Sequence, residues 1–201
     1  SVFVAEELSE VLNTKVVIGR INMGLLNRII IDDVLLDDQS GQEMLKVTRL
    51  SAKFDIMPFF KGKISISSVQ LFGFNINLRK ETPDSPPNFK FVLDAFASKD
   101  TVKKENSLDL RINSILIRRG RMSYHVLSEE ETPGKFNAKH IQLQNIIANI
   151  SLKALSKDSL NLGIKRLSLD EKMSGFSLKK MSLKLVANNK QTSIDNFAIE
   201  L

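Results

Sequence analysis

The sequence predicts a mainly β fold, a curved antiparallel sheet with two or three short helices. Three observations carry that prediction. The first is a repeated pattern, apolar–x–apolar–x–x–apolar–x–apolar. It occurs at Ile29-x-Ile31-x-x-Val34-x-Leu36, Leu45-x-Val47-x-x-Leu50-x-Ala52, Ile64-x-Ile66-x-x-Val69-x-Leu71 and Leu110-x-Ile112-x-x-Ile115-x-Ile117. It returns at Ile141-x-Leu143-x-x-Ile146-x-Ala148, Leu162-x-Ile164-x-x-Leu167-x-Leu169 and Phe176-x-Leu178-x-x-Met181-x-Leu183, with a frayed copy at Ile194-x-x-Phe197-x-Ile199-x-Leu201. Period-two alternation marks strands with one apolar face. The second observation is the x-x step, which throws the second apolar pair out of phase with the first. Either a bulge absorbs one residue and keeps both pairs on one face, or the strand switches faces where the sheet folds over. The x-x pairs contain no glycine, which disfavours a two-residue hairpin. Bulged strands bend, so a series of them predicts curvature. The third is that so little sequence remains for helices that most of the apolar face is left without a helical cover.

Val2–Leu12 reads as a helix, with Val4, Leu8, Val11 and Leu12 on one side and Glu6, Glu7 and Glu10 on the other. Those glutamates lie early in the helix, where its dipole favours acidic groups. The β-branched run Val16-Val17-Ile18 opens the sheet, and Lys15 to Phe54 reads as antiparallel strands turning at Asn22-Met23-Gly24 and Asp38-Gln39-Ser40-Gly41. Met57 to Gly62 reads as one helical turn, and Lys63 to Lys80 as the longest strand tract, with Gly73 marking a bulge or bend. The prolines at 83, 86 and 87 exclude sheet interior. Asn88 is placed to cap a helix from Phe89 to Ala97, with Phe89, Val92, Leu93 and Phe96 on its apolar side. Ser98 to Ser107 reads as a mobile loop. Strands resume over Asp109 to Leu127 with a turn near Arg119-Gly120, and Glu129 to Gly134 is a surface turn. From Phe136 strands continue to the end, broken near Ser156–Ser159, Lys172–Gly175 and Asn188–Lys190. The expected organisation is a single unit over 1–201: a helix and first sheet section over 1–98, the mobile loop at 99–107 and a second sheet section over 108–201.

Composition narrows the chemistry. The chain has 201 residues, no cysteine and a formal net charge of +6. Thiolate metal sites, disulfides and cysteine nucleophiles are therefore excluded, and a basic balance suits anionic lipid headgroups, nucleic acid or an acidic protein surface. Solvated lysines on the polar faces of strands are the plainer reading of the same charge. The apolar runs are shorter than a membrane-spanning helix needs. The chain opens on Ser1 and closes on a strand-like Asn196–Leu201, from which a fragment of a longer protein is expected, with room for a targeting or anchoring segment upstream and with bare sheet edges that self-associate.

The two histidines, His125 and His140, lack the spacing of a zinc motif and read as surface or turn residues. The acidic pairs Asp32-Asp33 and Asp37-Asp38 lack the alternating oxygen ligands of a calcium loop, and a hairpin turn fits Asp37 to Glu43 better. No nucleophile elbow, phosphate loop or dinucleotide fingerprint is present, so neither an enzyme nor a cofactor or metal is expected. Basic clusters stand at Lys103-Lys104, Arg118-Arg119 with Arg121, Lys165-Arg166 and Lys179-Lys180. With no tryptophan and one tyrosine beside them, nucleic-acid binding is the remote alternative.

Several tracts resemble the AsmA-like superfamily of Gram-negative envelope proteins, in particular the TamB-type (translocation and assembly module) proteins of Bacteroidetes. Leu8 to Gly19 is similar to the segment following their N-terminal membrane helix, and Arg28 to Leu45 to their early hairpin. Met57-Pro58-Phe59-Phe60-Lys61-Gly62 leading into Ile64 to Leu71 resembles their turn–glycine–strand unit, and Ile115 to Tyr124 a strand pair around a glycine. The resemblance implies a taco-shaped β-groove in the periplasm, anchored to the inner membrane by an N-terminal helix absent here. It implies phospholipid acyl chains as cargo between inner and outer membrane, or assembly of outer-membrane proteins with a barrel partner, and no catalytic residues. The groove lining expected on the strands is Ile64, Ile66, Val69, Leu71, Ile112, Ile115, Ile117, Ile141, Leu143 and Ile146, plugged at one end by Val2–Leu12 or by Phe89–Ala97. At any one of these positions, plain core is the competing assignment.

Overall fold

The computed structural model describes residues 2–54, 66–97, 112–156 and 159–201. The elements are α1 (Val2–Leu12), β1 (Val16–Gly24), β2 (Arg28–Asp37), β3 (Glu43–Phe54), β4 (Ile66–Lys80), α2 (Lys90–Ala97), β5 (Ile112–Val126), β6 (His140–Ser156), β7 (Ser159–Glu171), β8 (Phe176–Asn188) and β9 (Thr192–Glu200). All nine strands form one open, curved sheet whose spatial order follows the chain from β1 to β9. The fold is mainly β, as the alternation predicts. The expected helical turn at Met57–Gly62, the loop at 99–107 and Ile64 fall outside the described residues.

The sheet is not antiparallel throughout. β4 and β5 run parallel, whereas the other neighbours pair antiparallel. The connection between them carries α2 and returns the chain to the end from which β4 started, which is what parallel neighbours require. A second correction concerns Arg119-Gly120, where a turn is predicted. β5 passes straight through this point, so the tract from Ile115 to Tyr124 is one strand and not a pair. A third concerns the first hairpin. β1 continues through Gly24, and the turn is Leu25-Leu26-Asn27, with φ of 60° at Leu26 and 58° at Asn27. The register pairs Gly24 with Arg28 and so keeps Gly24 in the ladder, which moves the turn three residues on, to a site where Asn27 tolerates the left-handed region.

The x-x steps resolve as bulges and bends that keep both apolar pairs on one face. In β1 to β5 they line up. Ladder pairing steps over Gly19, Asp33, Thr48, Gly73 and Arg119, which stand in a row across the five strands, and φ is 56° at Asp33, 65° at Gly73 and 56° at Arg119. The row makes a crease without a register shift, so Gly73 is a bend rather than a bulge. A β-carbon on Gly73 would lie 2.7 Å from the Thr48 hydroxyl, which together with its φ restricts the position to glycine. In β5 to β8 the steps are two-against-one bulges. Lys165-Arg166 face Ser182, Lys179-Lys180 face Ser168, and Arg118-Arg119 face Ile147.

The apolar face centres on the buried trio Val47, Phe74 and Ile146. Phe74 and Ile146 lie on β4 and β6, with β5 between them. They meet because β5 carries Gly120 there: a β-carbon at this position would overlap the Phe74 ring and stand 3.0 Å from Ile146. Gly120→Ala is therefore expected to destabilise the fold by about 1–3 kcal/mol, the usual cost of overpacking, read as a lower urea midpoint with unchanged slope.

Both helices close the same end of the sheet. Leu12 of α1, Val92 of α2 and the adjoining Phe89 pack on Val16, Leu36 and Met44. The rotation of α1 differs from the prediction: Leu8 and Val11 are exposed, and Ser9 faces the sheet, accepting from the Val16 N–H at 3.0 Å and donating to the Ala5 carbonyl at 2.7 Å. The first turn of α1 carries no acidic residue, so the dipole argument does not apply. Asn88 does not cap α2. Its amide donates to Asp38 at 3.1 Å and to the Asn77 carbonyl at 3.0 Å, and its carbonyl accepts from the Arg79 N–H at 3.0 Å.

Two buried carboxylates organise two hairpins. Asp38 accepts from the Ser40 N–H at 3.0 Å, the Ser40 hydroxyl at 2.6 Å and the Gln42 N–H at 3.1 Å, and pairs with Arg79 at 2.7 Å. Glu171 accepts from the backbone of Gln142, Met173 and Ser174 and from the Ser174 hydroxyl. Burial pushes both carboxyls up, but these hydrogen bonds outweigh it and hold both below their ordinary values. A depressed folded-state value means that the stability is complete above the unfolded values of 3.8 and 4.5 and is lost as pH falls through the folded ones. The urea midpoint is thus expected to stay level from neutral pH to about 5 and to drop below about 4, with Glu171→Gln flattening part of the drop.

Candidate apolar groove

Alternation and register together assemble the candidate lining. Val69 stands beside Ile115 and Leu71 beside Ile117 across the β4–β5 pairing, and Ile115 and Ile117 stand beside Ile150 and Ala148 of β6. Beyond the crease, Leu143 pairs with Met122 and Ile141 with Tyr124, while Ile146 sits opposite Gly120. Ile66, Val69, Leu71, Ile112, Ile115, Ile117, Ile141 and Leu143 are all half-buried, and Ile146 is buried. Ile66 and Ile112 lie beyond register irregularities at Lys53/Phe54 and Ile112/Ile115, whereas register and alternation bring Val69, Leu71, Ile115, Ile117, Ile141, Leu143 and Ile146 onto one surface. Its centre includes residues absent from the predicted lining: Val47, Phe74, Ile76, Met122, Leu167 and Leu169. A second copy of the repeat within β4, Val69-x-Leu71-x-x-Phe74-x-Ile76, is the signal that finds Phe74.

Coverage of this surface is uneven. The helices close the end at Val16, Leu36 and Met44. Among the described residues only nine hydrophobic side chains are buried, a small core for so long a sheet. Towards β9 the apolar positions Ile194, Phe197 and Ile199 are 60%, 60% and 53% exposed.

The opposite face is polar and charged. Arg49 donates to Asp32 at 2.6 Å and Arg20 lies 3.8 Å from it; the hydrogen bond from Arg49 holds the Asp32 carboxyl below its usual range. The described basic clusters occupy the bulges and the crease, so exposed cations stand in consecutive pairs at Arg118-Arg119, Lys165-Arg166 and Lys179-Lys180. The Arg119 guanidinium lies 5.1 Å from the Phe72 ring centre, a cation–π contact. Lys153, Lys165 and Lys184 line a cleft of ≈ 360 Å³ with Asn161 and Asn196. Lys103 and Lys104 lie outside the described residues.

The histidines are not surface residues as predicted. His125 and His140 are register partners on β5 and β6, their Nδ1 atoms are 3.0 Å apart, and His140 is 4% exposed. Glu131 of the intervening turn places Oε1 at 3.8 Å from His125 Nδ1 and 4.0 Å from His140 Nδ1. This is the one cluster among the described residues with the donor set of a metal centre.

The fold and surface together define a class: an open β-sheet protein with one apolar and one basic face, its apolar face closed by helices at a single end. Compared with family profiles the chain matches none, and compared with curated proteins it matches none.

Proposed function

We propose that this chain is a non-enzymatic groove segment of a TamB-type, AsmA-like envelope protein, which holds phospholipid acyl chains during transfer between the inner and outer membranes. One observation carries the reading: apolar positions recur along one face of the sheet, with Val47, Phe74 and Ile146 at its centre, yet among the described residues the helices pack over one end of it. An acyl chain laid on such a surface gains about 0.8 kcal/mol per methylene buried, so about ten methylenes supply an affinity that no local polar contact need provide. Even apolarity along the surface favours sliding, because no single position holds the chain. The bulge-borne cations on the other face suit an anionic headgroup layer. In this reading the protein works in the periplasm, tethered to the inner membrane by a segment preceding Ser1, and meets a barrel partner in the outer membrane through a segment following Leu201.

Native mass spectrometry after gentle extraction tests this. Co-purifying phospholipid, or uptake of a fluorescent fatty acid, is the expected result; a protein that is lipid-free and takes up none overturns the proposal. A second reading, a scaffold that templates outer-membrane strands, is favoured by β9, which is exposed at every residue and among the described residues pairs with β8 alone. It predicts crosslinks to nascent barrel strands from β9 backbone positions, and crosslinks to lipid alone would dismiss it. Steeply salt-dependent retention on DNA or RNA would instead favour nucleic-acid binding.

A further inference from the structure

We propose that His125, His140 and Glu131 form a binding site for a divalent transition-metal ion, zinc being the best match. The donor set suits zinc, copper or nickel, since imidazole and carboxylate are their common ligands. Ring geometry supplies the first argument. His140 Nε2 lies 2.9 Å from the Glu129 carbonyl, which can only accept, so that nitrogen carries the proton and Nδ1 of the neutral ring is left with its lone pair. A histidine held through its far nitrogen by a carbonyl is the arrangement found around metal ligands. Glu129 is itself held by Lys139 at 2.6 Å.

Distances supply the second. A tetrahedral ion with bonds of about 2.0–2.1 Å places its ligand atoms about 3.3 Å apart. The two Nδ1 atoms, now 3.0 Å apart, must open by a few tenths of an ångström, and Glu131 must close from 3.8 and 4.0 Å by about half an ångström. Glu131 is 52% exposed on a turn, where a carboxylate can make that movement. In the metal-free pair one imidazole proton lies between the Nδ1 atoms. On binding, the ion takes its place, and His125 carries its proton on Nε2 instead.

Topology supplies the third. All three ligands come from residues 125–140, the ends of β5 and β6 and the turn joining them, and the Val126 N–H donates to the Lys139 carbonyl at 2.9 Å beside them. The site is thus set by one hairpin. Water or another small ligand takes the fourth position, on the exposed side. An ion here ties the turn to the strand ends next to Ile141 and Tyr124, at the margin of the apolar face.

Calorimetric titration of the full chain with zinc chloride tests the site. One equivalent is expected to bind, with affinity lowered about tenfold or more in His125→Gln and His140→Gln, and less in Glu131→Gln. Zinc should raise the melting temperature of the natural protein but not of the histidine variants. Since His140 is buried, His125→Gln is the variant least prone to misfold, and imidazole nitrogen NMR provides a readout without any variant: zinc should shift both Nδ1 resonances. Absence of zinc uptake overturns the proposal. So does uptake of undiminished affinity in His125→Gln, or uptake that leaves the Nδ1 resonances in place.

Discussion

Asp38→Ala is expected to destabilise the protein by about 3–5 kcal/mol, the cost of removing one partner from a buried ion pair. The residue is 2% exposed, and its carboxylate joins three parts of the chain: its own β2–β3 turn, Arg79 at the end of β4 and Asn88 before α2. Its removal leaves the Ser40 and Gln42 N–H groups without their acceptor and Arg79, 19% exposed, without its counter-charge. Against a total stability of about 5–15 kcal/mol, this is a large fraction. Urea denaturation should show the midpoint lowered by more than 1 M, taking a slope of about 1–3 kcal/mol/M. Asp38→Asn keeps the shape and part of the hydrogen bonding, so a smaller loss is expected. A change at the exposed Asp84 should stay within about 0.5 kcal/mol. An Asp38→Ala protein as stable as the parent would mean that the three-way junction does not hold the helical plug to the sheet.

The second large effect concerns lipid. Leu71→Glu places a carboxylate on the apolar face beside Ile117, whereas Gln70→Glu places one on the adjacent residue, exposed on the opposite face. Loss of a leucine's worth of apolar contact costs about 1.5–3 kcal/mol, and each 1.4 kcal/mol is tenfold in affinity. Fatty-acid uptake is therefore expected to fall about 10- to 100-fold in Leu71→Glu and to stay unchanged in Gln70→Glu. Circular dichroism and thermal melting establish that each variant is folded before uptake is compared. Equal uptake by both variants would remove this face as the lipid surface.

What the sequence made legible follows from the range of the interactions. α1 and the strand tracts rest on local periodicity, and their positions agree closely with the structure. The bulges at Lys165-Arg166 and Lys179-Lys180 are equally local, each being two polar residues between apolar pairs. The crease at Gly73 was legible only as a single glycine, because its alignment with Asp33 and Arg119 depends on pairing among β2, β3, β4 and β5. Gly120 reads as a turn until Phe74 is known to lie over it. The parallel β4–β5 pair was hidden because alternation records which face a residue takes and not the direction of its neighbour. Asp38 looked like a turn residue, which it is; its partners Arg79 and Asn88 are distant in the chain and only the fold brings them to it. His125 and His140 meet through the register of one hairpin, which spacing alone does not give.

Because each strand's neighbour in space is also its neighbour in sequence, the order of assembly can be the order of synthesis. A segment leaving the ribosome or a translocation pore finds its template already laid down by the segment before it. Hairpin closures of this kind are short-range and rapid; only the step from β4 to β5 must wait for a crossover, making it the slow event in an otherwise zipper-like process. The same serial design lets such a sheet lengthen over evolutionary time by duplication of hairpins, since each added pair needs only the previous edge to build on.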